Sequence, residues 1–436
     1  MADEAGAAPP VDATEQLRSP AYARLLVFAA VIGAPVSAVA YYFLQLAEAL
    51  YHWVHLELPH VLGFATTPLW WPLPVLGLAG VLVGLTIRHL PGRGGHSALD
   101  GFAHGAPTLV ELPGILLTAL ASLGAGAVLG PEAPLVALGA GLAVLAVRFA
   151  RRDVPAPAAA VVAAAGSFAA ISAILGSPLL GAFLLMEAAV LGGPMLGVVL
   201  LPGLLAAGIG SLIFIGLNRL TGLEPVALAL PHLPPFERPD VAQFAWALVI
   251  GAIAAVLGSG IRWIASRLQP HVERRTVLLT AAAGLAVAGL TIAYAVVTAR
   301  DPGDVLGSGQ ETLGPLLQHG AGYPLGALLM LVVCKGLAYS LSLSCFRGGP
   351  VFPAMFVGAA GGIALSHLPG LPMVAGVAMG MGAMCVVMLK LPLTSVLLAT
   401  LLMFENGVTV MPLVIVAVVV AHVMSARLTG PEAAIG

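Results

Sequence analysis

Charge is what this sequence has least of. Lys, Arg, Asp and Glu make up 9% of its 436 residues, against roughly 25% in a soluble domain. No water-soluble surface can be built from so few charges, and the mean hydropathy of +1.02 agrees. Cysteine is nearly as scarce. Cys334, Cys345 and Cys385 lie in apolar surroundings with no CxxC or Cys/His spacing, so they imply neither a disulfide framework nor a zinc site and read as small buried residues. No Lys/Arg run resembles a phosphate-binding patch, and the net charge is -2, so nucleic-acid partners drop out. The eleven histidines form no HExxH or similar pattern, and no metal or cofactor is implied. His52, His55 and His60, close to Trp53, read as interfacial. No nucleophile stands with a base at a catalytic spacing and no aspartates are paired, so an intramembrane enzyme is set aside. The stretch 1–20 is polar and has no basic-then-apolar start, so it reads as a tail rather than a cleaved signal.

What the chain has in abundance is apolar length. A membrane span needs about 20 mainly apolar residues, and such stretches recur at Leu25–Leu50, Phe244–Ile261, Thr276–Val297 and Leu325–Cys345. An all-α, multi-pass protein of the cell membrane follows, with the bilayer as its solvent. Gly (53) and Pro (34) make up about a fifth of the chain and fall inside the apolar runs. Breaks at that depth are tolerated where the freed backbone faces protein or a cavity, so many helices should be short, tilted or broken.

The chain also repeats itself. Gly130-Pro131-Glu132-Ala133-Pro134, followed by Gly139, matches Gly349-Pro350-Val351-Phe352-Pro353, followed by Gly358, at an offset of 219 residues. Ser177-Pro178-Leu179-Leu180 and Leu391-Pro392-Leu393-Thr394 recur at an offset of 214, each opening a run that reaches an acid, Glu187 or Glu405. Two matched pairs in the same order predict two inverted repeats, 21–220 and 241–427. A linker at 221–240 joins them, and tails at 1–20 and 428–436 flank them. Gly/Pro-interrupted segments in corresponding positions of two halves point to a midplane substrate site.

Each G-P-x-x-P element reads as a helix start, because a proline in the first turn loses no hydrogen bond. Helix N-termini carry unpaired N–H groups and about half a positive charge, so two of them facing one point attract an anion without a basic side chain. Glu132 is the lone acid of the apolar interval Leu112–Val147, and an ionisable group at such depth costs at least ~2.5 kcal/mol. Its carboxylate wants the same N–H donors as an anion, so it can fill the site when charged and vacate it when protonated. Glu187 is alone in its span near the far end, where it either reaches water or takes part in proton movement. Lys335, Arg347 and Lys390 are rare charges in apolar runs, expected to pair with a carboxylate or to snorkel; Arg347 also stands two residues before Gly349. The loop Pro91-Gly92-Arg93-Gly94-Gly95-His96-Ser97 has the composition of a backbone nest for an anion.

At these residues the sequence resembles the CLC family of chloride channels and anion/proton antiporters. Gly92–Gly101 is similar to the family's G-S-G-I-P loop, Leu129–Pro134 to its G-R/K-E-G-P element, and Lys335 through Gly348-Gly349-Pro350-Val351-Phe352-Pro353 to its G-K…G-G-x-F-x-P element. The likeness runs from about Leu25 to Arg427 and implies a CLC fold of two inverted repeats and a homodimer with one pore per subunit. It implies transport of small inorganic anions, chloride first and fluoride, nitrate or bicarbonate as alternatives, with protons as the coupled ion of the antiporters. Carried over by motif, Glu132 is the gating glutamate, and the anion-binding positions are Gly94, Gly95, Gly130, Ala133, Gly349, Val351 and Phe352. Gly94 stands where the family has its coordinating serine, and Pro350 replaces a residue whose N–H would face the anion. No tyrosine stands near the C-terminus to bring in a hydroxyl. Ala188 occupies the internal proton glutamate's position, one residue after Glu187, which argues against strict proton coupling.

Overall fold

The computed structural model describes residues 18–101, 106–150, 156–172, 174–175, 177–188, 194–223 and 233–429. Most of the expected tails and part of the linker, 224–232, lie outside the described residues. Helices account for nearly all of what is described, and eight of those helices are long and apolar enough to cross a membrane. The chain is a multi-pass integral membrane protein.

The first half opens with α1 (Pro20–His52), started by Ser19, whose hydroxyl accepts the Tyr22 N–H at 3.1 Å. There follow α2 (Pro72–His89), α3 (Leu112–Gly124), α4 (Glu132–Ala150), α5 (Ala156–Ser172), α6 (Pro178–Ala188) and α7 (Pro194–Thr221). The second half opens with α8 (Val241–Arg274), fixed by a capping box between Asp240 and Gln243. It continues through α9 (Thr276–Thr298), α10 (Gln310–His319), α11 (Leu325–Cys345), α12 (Val351–Leu365), α13 (Met373–Leu389), α14 (Pro392–Leu401) and α15 (Gly407–Leu428). At 1.5 Å per residue the 34 residues of α8 reach about 51 Å, well beyond a hydrocarbon core of about 30 Å, so α8 tilts or carries its polar C-terminal end beyond the core. The 11 residues of α6 reach about 16 Å and cannot span.

The packing repeats along with the sequence. α4 lies on α5 as α12 lies on α13, α5 on α7 as α13 on α15, and α1 on α7 as α8 on α15. Glycines set the closest of these approaches. A side chain on Gly139 of α4 would strike the carbonyl of Gly166 on α5, and one on Gly358 of α12 would strike that of Gly380 on α13. Gly139 and Gly358 are equivalents in the repeat. With lipid on the outside, such small-residue seams let helices gain van der Waals contact that burial of apolar area alone cannot supply. α2 against α9 joins the two halves.

Candidate anion site

The two G-P-x-x-P elements meet. Gly130, just before α4, and Gly349, just before α12, exchange main-chain hydrogen bonds in an antiparallel bridge, Gly130 N–H to Gly349 O at 2.7 Å and the reverse at 2.5 Å. Every polar group of a helix break within the bilayer needs such a partner, and further partners hold the crossing. The Val128 N–H donates to Ser342 Oγ at 3.1 Å and the Arg347 N–H to Ser122 Oγ at 3.2 Å. The Tyr339 hydroxyl donates to the Pro350 carbonyl at 2.7 Å.

Glu132 is wholly buried at this crossing. Its Oε1 accepts the Phe352 N–H at 3.0 Å. A carboxylate of the first half thus sits on the N-terminus of α12, where a helix end favours negative charge. Oε2 has no hydrogen-bond partner. Gly130 and Gly349 leave just enough room, since a Cβ on either would fall onto the carboxylate.

Beside the crossing lies a cavity of about 80 Å³ lined by Gly94, Gly95, Ser97, Ala133, Arg347 and Gly348, among others. All three motif segments therefore face one space, while Glu132 stands beyond its lining. The loop of Gly94 runs through four consecutive positive φ values, from Gly92 to Gly95. A Cβ on Gly94 would lie 2.7 Å from the Thr118 hydroxyl, so in this chain the coordinating serine has no room. Ser97 is buried but engaged: its hydroxyl donates to the Leu343 carbonyl at 3.4 Å and accepts the Leu99 N–H.

Glu187 is not part of this crossing. Its carboxylate takes the N–H groups of Leu393 and Thr394 at 2.9 and 2.7 Å and the Thr394 hydroxyl at 2.6 Å, at the start of α14. Half-buried, it caps a helix of the other half.

Lys390 is exposed at the end of α13, as expected of a snorkelling lysine, but Lys335 and Arg347 depart from their expected partners. Lys335 neither pairs with a carboxylate nor snorkels; fully buried, its ammonium donates to the carbonyls of Asp304, Val305 and Leu306 at 2.9, 3.2 and 3.2 Å. It also stands 4.2 Å over the Phe356 ring. Arg347 has no carboxylate partner among the described residues, because its position near α12 is fixed by the crossing. His55, expected at the interface, is buried against the Ala125 carbonyl. Tyr339 and Ser342, which satisfy the crossing with Ser122, stand in a run with Ser340 and Ser344 in α11, and nothing in the sequence sets them apart from those neighbours.

Two helix starts that meet at a buried carboxylate, with a small cavity beside the α4 start, give a multi-pass helical protein the means to handle small anions. The chain belongs to the voltage-gated chloride channel family, whose family model matches residues 96–426. It is accordingly a membrane transporter or channel for anions and not an enzyme. Among relatives, the proposed ion-transport protein YfeO of Escherichia coli (strain SMS-3-5 / SECEC) is 28% identical over 353 residues, covering 79% of each chain. YfeO of Salmonella schwarzengrund (strain CVM19633) is 28% identical over 352 residues, covering 79% of this chain and 81% of its own. Among solved structures, a slow cyanobacterial Cl-/H+ antiporter superposes with a TM-score of 0.75 at 18% identity, over 94% of this chain and 95% of that one. A CLC-type fluoride/proton antiporter gives 0.71 at 21% identity, over 93% and 96%.

Proposed function

We propose that this protein passes small inorganic anions, chloride foremost, through the 80 Å³ cavity and past the crossing of α4 and α12, with Glu132 as the gate. One observation carries the reading: the Glu132 carboxylate accepts the Phe352 N–H on the start of α12. A carboxylate and a permeating anion compete for those donors, so the charged side chain closes the path and the protonated one opens it. The anion-binding groups are the main-chain N–H groups of Val351 and Phe352, with Gly94, Gly95, Gly130, Ala133 and Gly349 shaping the space. Glu187 is assigned to holding α6 on α14, and with Ala188 beside it the chain offers no dedicated inner proton relay. Two halves, 21–220 and 241–427, build one pore, and two copies pair through lipid-facing helix surfaces. Fluoride, nitrate and bicarbonate are the alternative cargoes. The cargoes of the two solved neighbours do not decide among them, because likeness at 18% and 21% identity is one of fold.

Reconstitution into liposomes tests this. Chloride efflux that depends on pH, competes with nitrate or bromide, and proceeds with little accompanying proton flux is expected. Vesicles containing the protein that leak no inorganic anion faster than empty ones would refute it.

A further inference from the structure

A second cavity, of about 830 Å³, opens where α2 ends and α8 turns into α9. Arg88, Arg93, Arg274, Arg275 and Arg347 line it against a single acid, Glu273. Arginines near an acid ordinarily pair, but these do not. Among the described residues the one ion pair within 4.0 Å joins His52 to Glu311, so none of the five guanidinium groups has a carboxylate that near. Arg347, at the inner end, is the most telling. Its Nε is buried with no hydrogen-bond partner, and its one side-chain bond is a 3.5 Å contact to the carbonyl of Phe346. A buried donor left open costs about 1–3 kcal/mol unless something fills it. Arg347 also lines the 80 Å³ cavity, so the way from the large cavity to the small one leads past it.

The side of the membrane follows from charge. α1 starts beside Arg18 and Arg24, α2 returns to Arg88 and Arg93, and the α8–α9 turn carries Arg274 and Arg275. The opposite ends carry one arginine, Arg300, with the acids Glu57, Asp301, Asp304 and Glu311, and α1 and α10 are tied there by the His52–Glu311 pair. The excess of arginine assigns the cavity to the cytoplasmic face.

We propose that this arginine-lined cavity is a seat for phosphate-bearing polyanions and that an occupant obstructs the approach to the anion site. A lone halide engages one or two guanidinium groups. A diphosphate or a phosphate headgroup offers several oxygens in the planar geometry that guanidinium forks take bidentately. The volume lies in the range of sites for ligands of that size, about 300–1,000 Å³. Binding stands on the arginines alone, whereas obstruction rests on the transport reading above.

The test uses the full chain. Calorimetry in neutral detergent with inorganic pyrophosphate should show binding that weakens as salt rises. It should fall by about tenfold or more, at least 1.4 kcal/mol, in Arg274→Gln/Arg275→Gln, and likewise in Arg88→Gln. All three side chains are exposed, so the variants should fold and keep basal anion flux. Liposomes of phosphatidylcholine alone, with pyrophosphate on both sides, should then pass anions more slowly with the wild type and at unchanged rate with the double variant. If a lipid headgroup is the natural occupant, vesicles containing phosphatidate should slow the wild type without added pyrophosphate, and a free polyanion predicts no such lipid effect. Absent binding, or binding unchanged in both variants, overturns the seat. Binding without slower flux overturns the obstruction. Absent flux with binding intact counts against the transport reading and leaves the seat standing.

Discussion

Replacing Glu132 by glutamine isolates the gate's charge while keeping its shape. The carboxylate accepts the Phe352 N–H at 3.0 Å. Hydrogen bonds to a charged acceptor contribute about 1.5–3 kcal/mol and those to a neutral one about 0.5–1.5. This weakened bond therefore removes about 1–1.5 kcal/mol, roughly a 5- to 12-fold loss of side-chain occupancy at the start of α12. Glutamine also brings two N–H donors to a spot bounded by Gly130 and Gly349, whose carbonyls each already accept the other's N–H. The amide is thus pushed outward for a second reason. In liposomes Glu132→Gln should move anions at a rate that no longer varies with pH, at or above the fastest wild-type rate, and with no proton flux. A variant that keeps the wild-type pH profile would show that Glu132 braces the crossing and does not gate it.

Four further outcomes follow from particular contacts. Gly349→Ala puts a methyl group on the Glu132 carboxylate, so it should reproduce the pH-insensitive flux of Glu132→Gln while remaining folded in detergent. Lys335→Met strands the carbonyls of Asp304, Val305 and Leu306 and should cost about 3 kcal/mol or more, seen as a lowered unfolding temperature. Glu187→Gln weakens three bonds to the start of α14. It should lower stability by about 1–3 kcal/mol and leave the pH dependence of flux as it was; a lost pH response would assign Glu187 to proton movement. Because the site lacks a serine at Gly94, an N–H at Pro350 and a free hydroxyl at Ser97, chloride, bromide and nitrate should compete within about tenfold of one another, or 1.4 kcal/mol. A hundredfold preference in a competition flux assay would contradict that.

The helix starts at Glu132 and Val351 were legible because proline and glycine act locally: a proline admits the first turn of a helix and little else in its interior. The repeat was legible for the same reason. What the sequence hid lies in contacts between distant segments. Glu187 and Thr394 are 207 residues apart, and nothing near Glu187 in the chain signals that the start of another helix will arrive there. Lys335 looked like half of an ion pair because main-chain carbonyls carry no sequence signature, yet three of them surround it. Gly94 showed only that a serine is absent. That Thr118 forbids one became visible when α3 packed against the loop. His55 fits the pattern too, since its burial depends on the Ala125 carbonyl in the break after α3.

The offset of 219 residues that relates Gly130 to Gly349 also relates Glu132 to Val351, so the proposed gate and the first residue of α12 are equivalent positions of the two halves. A two-fold arrangement brings equivalents toward each other, as the reciprocal bonds of Gly130 and Gly349 demonstrate. At the glycines symmetry is harmless, since each supplies one donor and one acceptor. At the next pair but one it is not, because two carboxylates would repel each other and compete for the same few N–H groups with no cation between them. Two valines would leave the start of α12 without a counter-charge and the path without a group that titrates. One acid facing one apolar residue satisfies both demands. The repeat can therefore keep its backbone symmetry only by breaking side-chain symmetry at this position, and under the proposed function that break is what turns a pair of helix ends into a gate.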